Sequence, residues 1–219
     1  MMKAASSLGI ATVLLSLGTA QAATVAEVFT GDMLGTNQRY FESIAGIARE
    51  SNGNDHKFKV QGCNVTATIE GGNVTRLKLE TGPKCPADLT KFVDSYAPAP
   101  GKPLTFGAFD ESSGGGIAYS ADCLTMCGNA YDPSVYALWD GPRAVNGMQV
   151  LLEVTLTSDE SIAAADAWKD QIVKAKGEDF VIDTTFNCDP QFSAGAKKAF
   201  ASVPVTAVTI GTGLTSPGC

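Results

Sequence analysis

The sequence predicts an α+β fold: an antiparallel strand meander with helices, followed by a strand–helix–strand–helix–strand half, the whole stabilised by disulfides. Three observations predict it. Between residues 57 and 79, apolar side chains recur at every second position, the period of half-buried strands. From Gln149 onward, stretches of alternating period are interleaved with stretches of helical period. Six cysteines, Cys63, Cys85, Cys123, Cys127, Cys188 and Cys219, all follow an export signal, and an even count in an exported chain favours disulfides.

Residues 1–22 read as that signal. Lys3 is their only charge, an apolar run extends from Leu8 to Leu17, and Ala20-Gln21-Ala22 fits the small-x-small cleavage pattern. The run is too short for a membrane span, which takes ~20 residues. No cysteine follows it where a lipoprotein would carry one. The segment resembles the export signals of bacterial envelope proteins. Residues 23–219 are expected to form a single α+β domain, with 97–103 as the candidate subdomain boundary. The expected location is periplasmic or extracellular. With 23 acidic against 16 basic residues the chain is acidic, and its net charge of −7 repels phosphate backbones and anionic lipid. Nucleic-acid partners are therefore not expected. Nor is membrane insertion, because no later stretch is apolar enough to span a bilayer.

Taken in order, Asn37 caps a helix to about Glu50, with Tyr40, Ile44 and Ile47 at helical spacing. Phe58 and Val60 then alternate with lysines, and Cys63, Val65, Ala67 and Ile69 share one face of the next strand. Gly71-Gly72-Asn73 turns the chain. A three-residue loop pairs Ile69 with Thr75, Ala67 with Leu77 and Val65 with Leu79, which keeps the apolar residues together. That register brings Cys63 towards Cys85, the expected disulfide, worth ~3 kcal/mol in the chain-entropy model.

Ala87–Tyr96 reads as a short helix with Leu89, Phe92 and Val93 inward, and 97–103 as a stiff proline-rich connector. Thr105–Phe109 reads as a strand. Ser134–Trp139 reads as a short helix started by Asp132-Pro133. Gln149–Thr157 is a strand with Val150, Leu152, Val154 and Leu156 on one face. Ser158 caps a helix to Lys176, whose stripe is Ile162, Ala165, Trp168 and Ile172. Phe180–Phe186 reads as a strand, Asp189-Pro190 starts a helix, and Pro204 starts a last strand to Ile210. Parallel units with right-handed crossovers fit this second half.

The stretch Ser120-Ala-Asp-Cys123-Leu-Thr-Met-Cys127-Gly128 places two cysteines one helical turn apart, after a capping residue and before a stop. On a helix they would share a face without bonding easily to each other. The expectation is a covalent hub, with Cys123 and Cys127 bonded to Cys188 and Cys219 in some order. A mutual disulfide and a reactive pair are the alternatives.

Chemistry is poorly provided for. His56 is the one histidine, so any Ser–His or Cys–His mechanism must use it, and a zinc site is not expected. Asp110, Glu111, Asp132, Asp140 and Glu153 are candidate carboxylates for a glycosidase or protease only because they lie near turns. Gly114-Gly115-Gly116 lacks the lysine and hydroxyl of a phosphate loop, and no cofactor is expected. The most suggestive surface is Tyr131, Asp132, Tyr136, Trp139 and Asp140, aromatics beside acids that suit a protein partner. Tyr136 and Trp139 also suit a core, alongside Val135 and Leu138. The functional expectation is an exported, disulfide-stabilised binding protein, of an inhibitor or immunity type, that caps another envelope or secreted protein. An exported hydrolase using paired carboxylates or His56 is the alternative.

Overall fold

The computed structural model describes residues 23–128, 132–141, 147–183 and 185–219, without the Cys188 side chain. The expected export signal, Tyr131 and the pairing of Cys188 lie outside the described residues.

Eight strands form one sheet: β1 (Glu50–Asn52), β2 (Asp55–Val60), β3 (Cys63–Glu70), β4 (Asn73–Glu80), β5 (Ile117–Ala121), β6 (Ser134–Asp140), β7 (Gln149–Thr155) and β8 (Ala207–Gly211). Their order is β1-β2-β3-β4-β8-β7-β6-β5. Each neighbouring pair is antiparallel, so the expected parallel units are absent from the sheet. The last strand, β8, slots between β4 and β7 and joins the two meanders.

Strand alternation divides the sheet into two faces. Phe58, Val65, Leu79, Val208, Leu152, Ala137 and Tyr119 stand in register as one row across seven strands. A second row runs from Ala67 through Leu77, Ile210, Val150 and Trp139 to Ile117. Both rows are buried, and this inner face carries the helices. After the one-turn α1 (Val25–Val28), Phe41 of α2 (Gln38–Ala45) meets Phe58 edge-on at 5.0 Å. Further along, past the one-turn α3 (Thr90–Val93), α4 (Phe106–Ser113), α5 (Asp159–Lys176) and α7 (Ser193–Phe200) cover the β5–β7 side. Trp168 is the hub there, within 6.4 Å of the rings of Tyr119, Phe186 and Phe200, and its indole N–H donates to the Phe192 carbonyl. Gly107 lets α4 cross close to the end of α7, because a Cβ there would come within 2.5 Å of the Ala201 carbonyl oxygen.

The β3–β4 hairpin has the expected core pairs, Val65 with Leu79 and Ala67 with Leu77. Its tip differs. A bulge at Thr68–Ile69 shifts Ile69 onto Val74 and leaves Gly71-Gly72 as a two-residue loop, both with positive φ. The bulge keeps Ile69 and Val74 buried together with the shorter turn.

Local signals misled the reading at four places. Ser134–Trp139 is strand β6, not a helix, because Val135, Ala137 and Trp139 face the core at period two. In place of the expected strand, Phe180–Ile182 end α6 (Glu178–Ile182), which follows Gly177 and carries two acids in its first turn, and a 3₁₀ turn spans Thr185–Cys188. Thr105 does not open a strand. Its hydroxyl caps α4 by accepting from the Ala108 N–H. Helix α2, expected to reach about Glu50, stops at Ala45 because Gly46 has φ +86°, which leaves Ile47 on the surface with Tyr40. Asn37, Ser158 and Asp189 do cap as the sequence implies.

The Cys63–Cys85 disulfide forms as expected, with Cα atoms 5.6 Å apart. The covalent hub does not. Cys123 and Cys127 bond to each other, Cα atoms 5.5 Å apart. The segment is an irregular bend leaving β5, not a helical turn, and Met126 takes a positive φ of 53° that folds the second cysteine back on the first. Cys219 is also disulfide-bonded.

Candidate functional site

Among the described residues the helices pack on the inner side of the sheet, so the outer face is where side chains are displayed. Its rows follow from the same register. One runs Lys57, Thr66, Lys78, Thr209, Leu151, Leu138 and Ala118, and another runs Glu80, Ala207, Glu153, Tyr136 and Ser120, of which Ala207 and Ser120 are buried. Leu138 and Leu151 are directly paired and half-buried, an apolar spot among polar neighbours.

Tyr136 is the centre of a polar cluster. Its hydroxyl donates to Asp122 Oδ2 at 3.1 Å, and the same oxygen accepts from the Ser134 backbone N–H at 3.1 Å. Directly opposite on β7 is Glu153. One of its oxygens accepts from the Ser134 hydroxyl at 3.5 Å, and the other pairs with Lys78 Nζ at 2.5 Å. Burial first, then the charges of Glu153 and Asp122, hold the Tyr136 phenol well above its ordinary range. It therefore stays a neutral donor. Both carboxylates are committed to donors around them. The arrangement offers fixed hydrogen-bonding groups and no free acid or base pair.

The C-terminal tail straps one side of this face. Gln149 accepts the Leu214 N–H at 2.6 Å, and Leu214 is buried outside the main core. The tail then reaches β5. A Cβ on Gly218 would fall 2.6 Å from the Ala121 carbonyl oxygen and 2.8 Å from the Asn187 amide nitrogen. Cys219 Sγ lies 3.0 Å from the Asn187 carbonyl. Asn187 closes the sheet edge as a strand would, pairing with both the N–H and the C=O of Ala121.

The remaining candidates scatter. Asp132 and Asp140 are exposed at the two ends of β6, Asp140 accepting from Gln149. Trp139 is on the inner face, 2% exposed and edge-on to Phe109 at 5.6 Å, so it supports the strand instead of being displayed. Val135 joins it in the core, whereas Tyr136 and Leu138 point outward. Asp110 is buried and bonded to Lys197 at 2.5 Å. Glu111 lines a cleft beside the proline-rich connector. His56 sits near the outer edge of the sheet on β2, its Nδ1 2.9 Å from Ser51 Oγ. Each of three surface clefts carries at most one carboxylate and none includes His56.

Asp122, Ser134, Glu153 and Lys78 are the cluster members that sequence reasoning did not bring together. The alternation of β7 signals that Glu153 faces away from Val150, Leu152 and Val154, but cross-strand pairing is needed to set it beside Tyr136. Among the described residues, no group of three His, Cys, Asp or Glu side chains is placed to hold a metal, and no helix is long and apolar enough to cross a membrane. No protein-family model matches the chain, and neither a characterised protein nor a solved structure matches it.

Proposed function

We propose that this is an exported binding protein of an inhibitor or immunity type, made with a signal at residues 1–22 and acting as one domain over 23–219 in the periplasm or outside the cell. The disulfides fit an oxidising compartment. The reading rests on one observation: among the described residues no helix packs on the outer sheet face, which presents Tyr136, the Leu138–Leu151 pair and the Lys78–Glu153 ion pair from hydrogen-bonded strands. Groups held that way lose little freedom when a partner docks. Tyr136 has the amphipathic character that anchors interfaces, and Asp132 and Asp140 flank it with negative charge that would steer a basic partner.

The test is site-specific photo-crosslinking in envelope extract, with the probe at position 151 and, as a control, at Lys174 on α5. A discrete adduct from position 151 alone, lost on Tyr136→Ala, supports the reading. Equal labelling from both positions, or none, defeats it. A hydrolase retains one observation, the Ser51–His56 contact. A serine-directed fluorophosphonate that labels Ser51 in the wild type but not in His56→Ala would favour that reading.

A further inference from the structure

Two clefts, of about 380 and 390 Å³, open side by side on the connector between Tyr96 and α4 and share Ala87, Lys102, Pro103 and Leu104. Pro83, Pro86, Pro103 and Pro204 wall the second, and Leu104 and the buried Val205 complete its apolar lining. These walls are fixed. Each proline has a locked φ. The Cys63–Cys85 disulfide ties the Gly82–Pro86 segment to β3, and Gly82 and Cys85 exchange backbone hydrogen bonds of 3.2 and 2.9 Å. The Val205 N–H donates to the Leu104 carbonyl at 2.9 Å, anchoring the opposite side.

Charge gives this space a polarity. Among the described residues, Lys102 is the only ionisable side chain lining the second cleft. Among the described residues its ammonium has no hydrogen-bond or ion-pair partner. Glu111 lines the first cleft and not the second, so it repels an anion from that side of Lys102.

We infer that the second cleft binds a small molecule with an apolar body and a single carboxylate. The carboxylate pairs with Lys102 and the body lies between the prolines against Leu104 and Val205. The volume falls at the small end of the ~300–1,000 Å³ typical of small-ligand sites, room for a short chain or one ring system. Burying the apolar part supplies the affinity, the lone ammonium selects an anion over an alcohol or an amine, and the fixed walls limit the ordering cost. This site is separate from the sheet face and does not depend on a protein partner there.

Calorimetry on the full chain with its disulfides intact tests it, using octanoate, octanol and octylammonium as probes. Octanoate should bind saturably at one site and shift the backbone amide resonances of Gly82, Cys85 and Leu104. Octanol and octylammonium should bind about two- to fivefold more weakly, as should octanoate to Lys102→Gln, the scale set by one exposed ion pair. Glu111→Gln should leave octanoate affinity unchanged or raise it. Lys102 is exposed, so its substitution leaves the fold intact, which thermal melting checks. No saturable octanoate binding, equal binding of the three probes, or indifference to Lys102→Gln would overturn the inference. So would binding of an apolar tripeptide through its free C-terminus when octanoate does not bind.

Discussion

The side-chain amide of Gln149 grips the backbone of Leu214 from both sides, Oε1 accepting the Leu214 N–H at 2.6 Å and Nε2 donating to its carbonyl at 3.3 Å. A β7 side chain thus does for the tail what a neighbouring strand would do, and Leu214 is buried as a result. Gln149→Ala removes both bonds, together with the one that Gln149 donates to Asp140, and leaves the Leu214 backbone groups to water or unpaired. It should cost about 1–2 kcal/mol. Hydrogen exchange is the sharper check: the Leu214 amide should lose protection while Val150 and Leu152 keep theirs. Unchanged exchange at Leu214 would mean that the tail is held elsewhere.

Further along the tail, Gly218 has φ +78° and packs against Ala121 and Asn187. A methyl group there meets both an unfavourable backbone region and a backbone oxygen that cannot move far. Gly218→Ala should destabilise by about 1–3 kcal/mol, read from denaturant midpoints. Gly213→Ala is the control. It also has positive φ, +66°, but nothing lies within 4 Å of its added Cβ. It should cost only the backbone share, ~1 kcal/mol.

The two mapped disulfides close loops of different size, 22 and 4 residues in separation. In the chain-entropy model, removing Cys63–Cys85 costs about 3 kcal/mol and removing Cys123–Cys127 about 2 kcal/mol. Paired serine substitutions followed by chemical denaturation measure the difference. Cys127 is exposed, so mild reductant should open that bond first, with both alkylated thiols recovered on one short peptide. A mixed disulfide from either residue to Cys219 would contradict the pairing.

What could be read from the sequence depended on the range of the signal. Val65, Ala67, Leu77 and Leu79 announce a shared face by alternation, and the hairpin between them is short enough for turn chemistry to fix its register. Asn37, Ser158 and Asp189 announce helix starts through contacts two or three residues away. The failures lie where a local signal met a distant one. Asp132-Pro133 reads as a helix start, yet β6 is set by pairing with β5 and β7. Phe180 and Phe186 alternate like a strand, yet the nearby sheet edge at β5 is already met by Asn187, which pairs with both backbone groups of Ala121. The Tyr136 cluster was legible only as single residues. Asp122 and Glu153 are 31 positions apart, and only strand pairing brings them to one phenol.

Two tyrosines should make the fold sensitive to alkali. Tyr119 is buried among the rings of Phe106 and Trp168; burial first, then the Asp110 charge, raises its pKa well above the ordinary phenol value. Tyr136 is raised by burial, Glu153 and Asp122. In the unfolded chain both ionise near pH ~10. Above that pH the folded state therefore holds protons that the unfolded state has released, so stability falls as pH rises further. It should be flat with respect to these two groups below about pH 9 and decline from ~10 upward. Absorbance at 295 nm should show the native protein ionising fewer phenols near pH ~10 than the denatured chain does. The variants should separate the two residues. Tyr119 Oη is buried without a hydrogen-bond partner among the described residues, so Tyr119→Phe should be neutral or stabilising. Tyr136→Phe forfeits the bond to Asp122 and should cost up to about 1 kcal/mol at neutral pH. Either change should flatten the alkaline decline. A decline as steep in the double variant as in the wild type would trace it to the lysines instead.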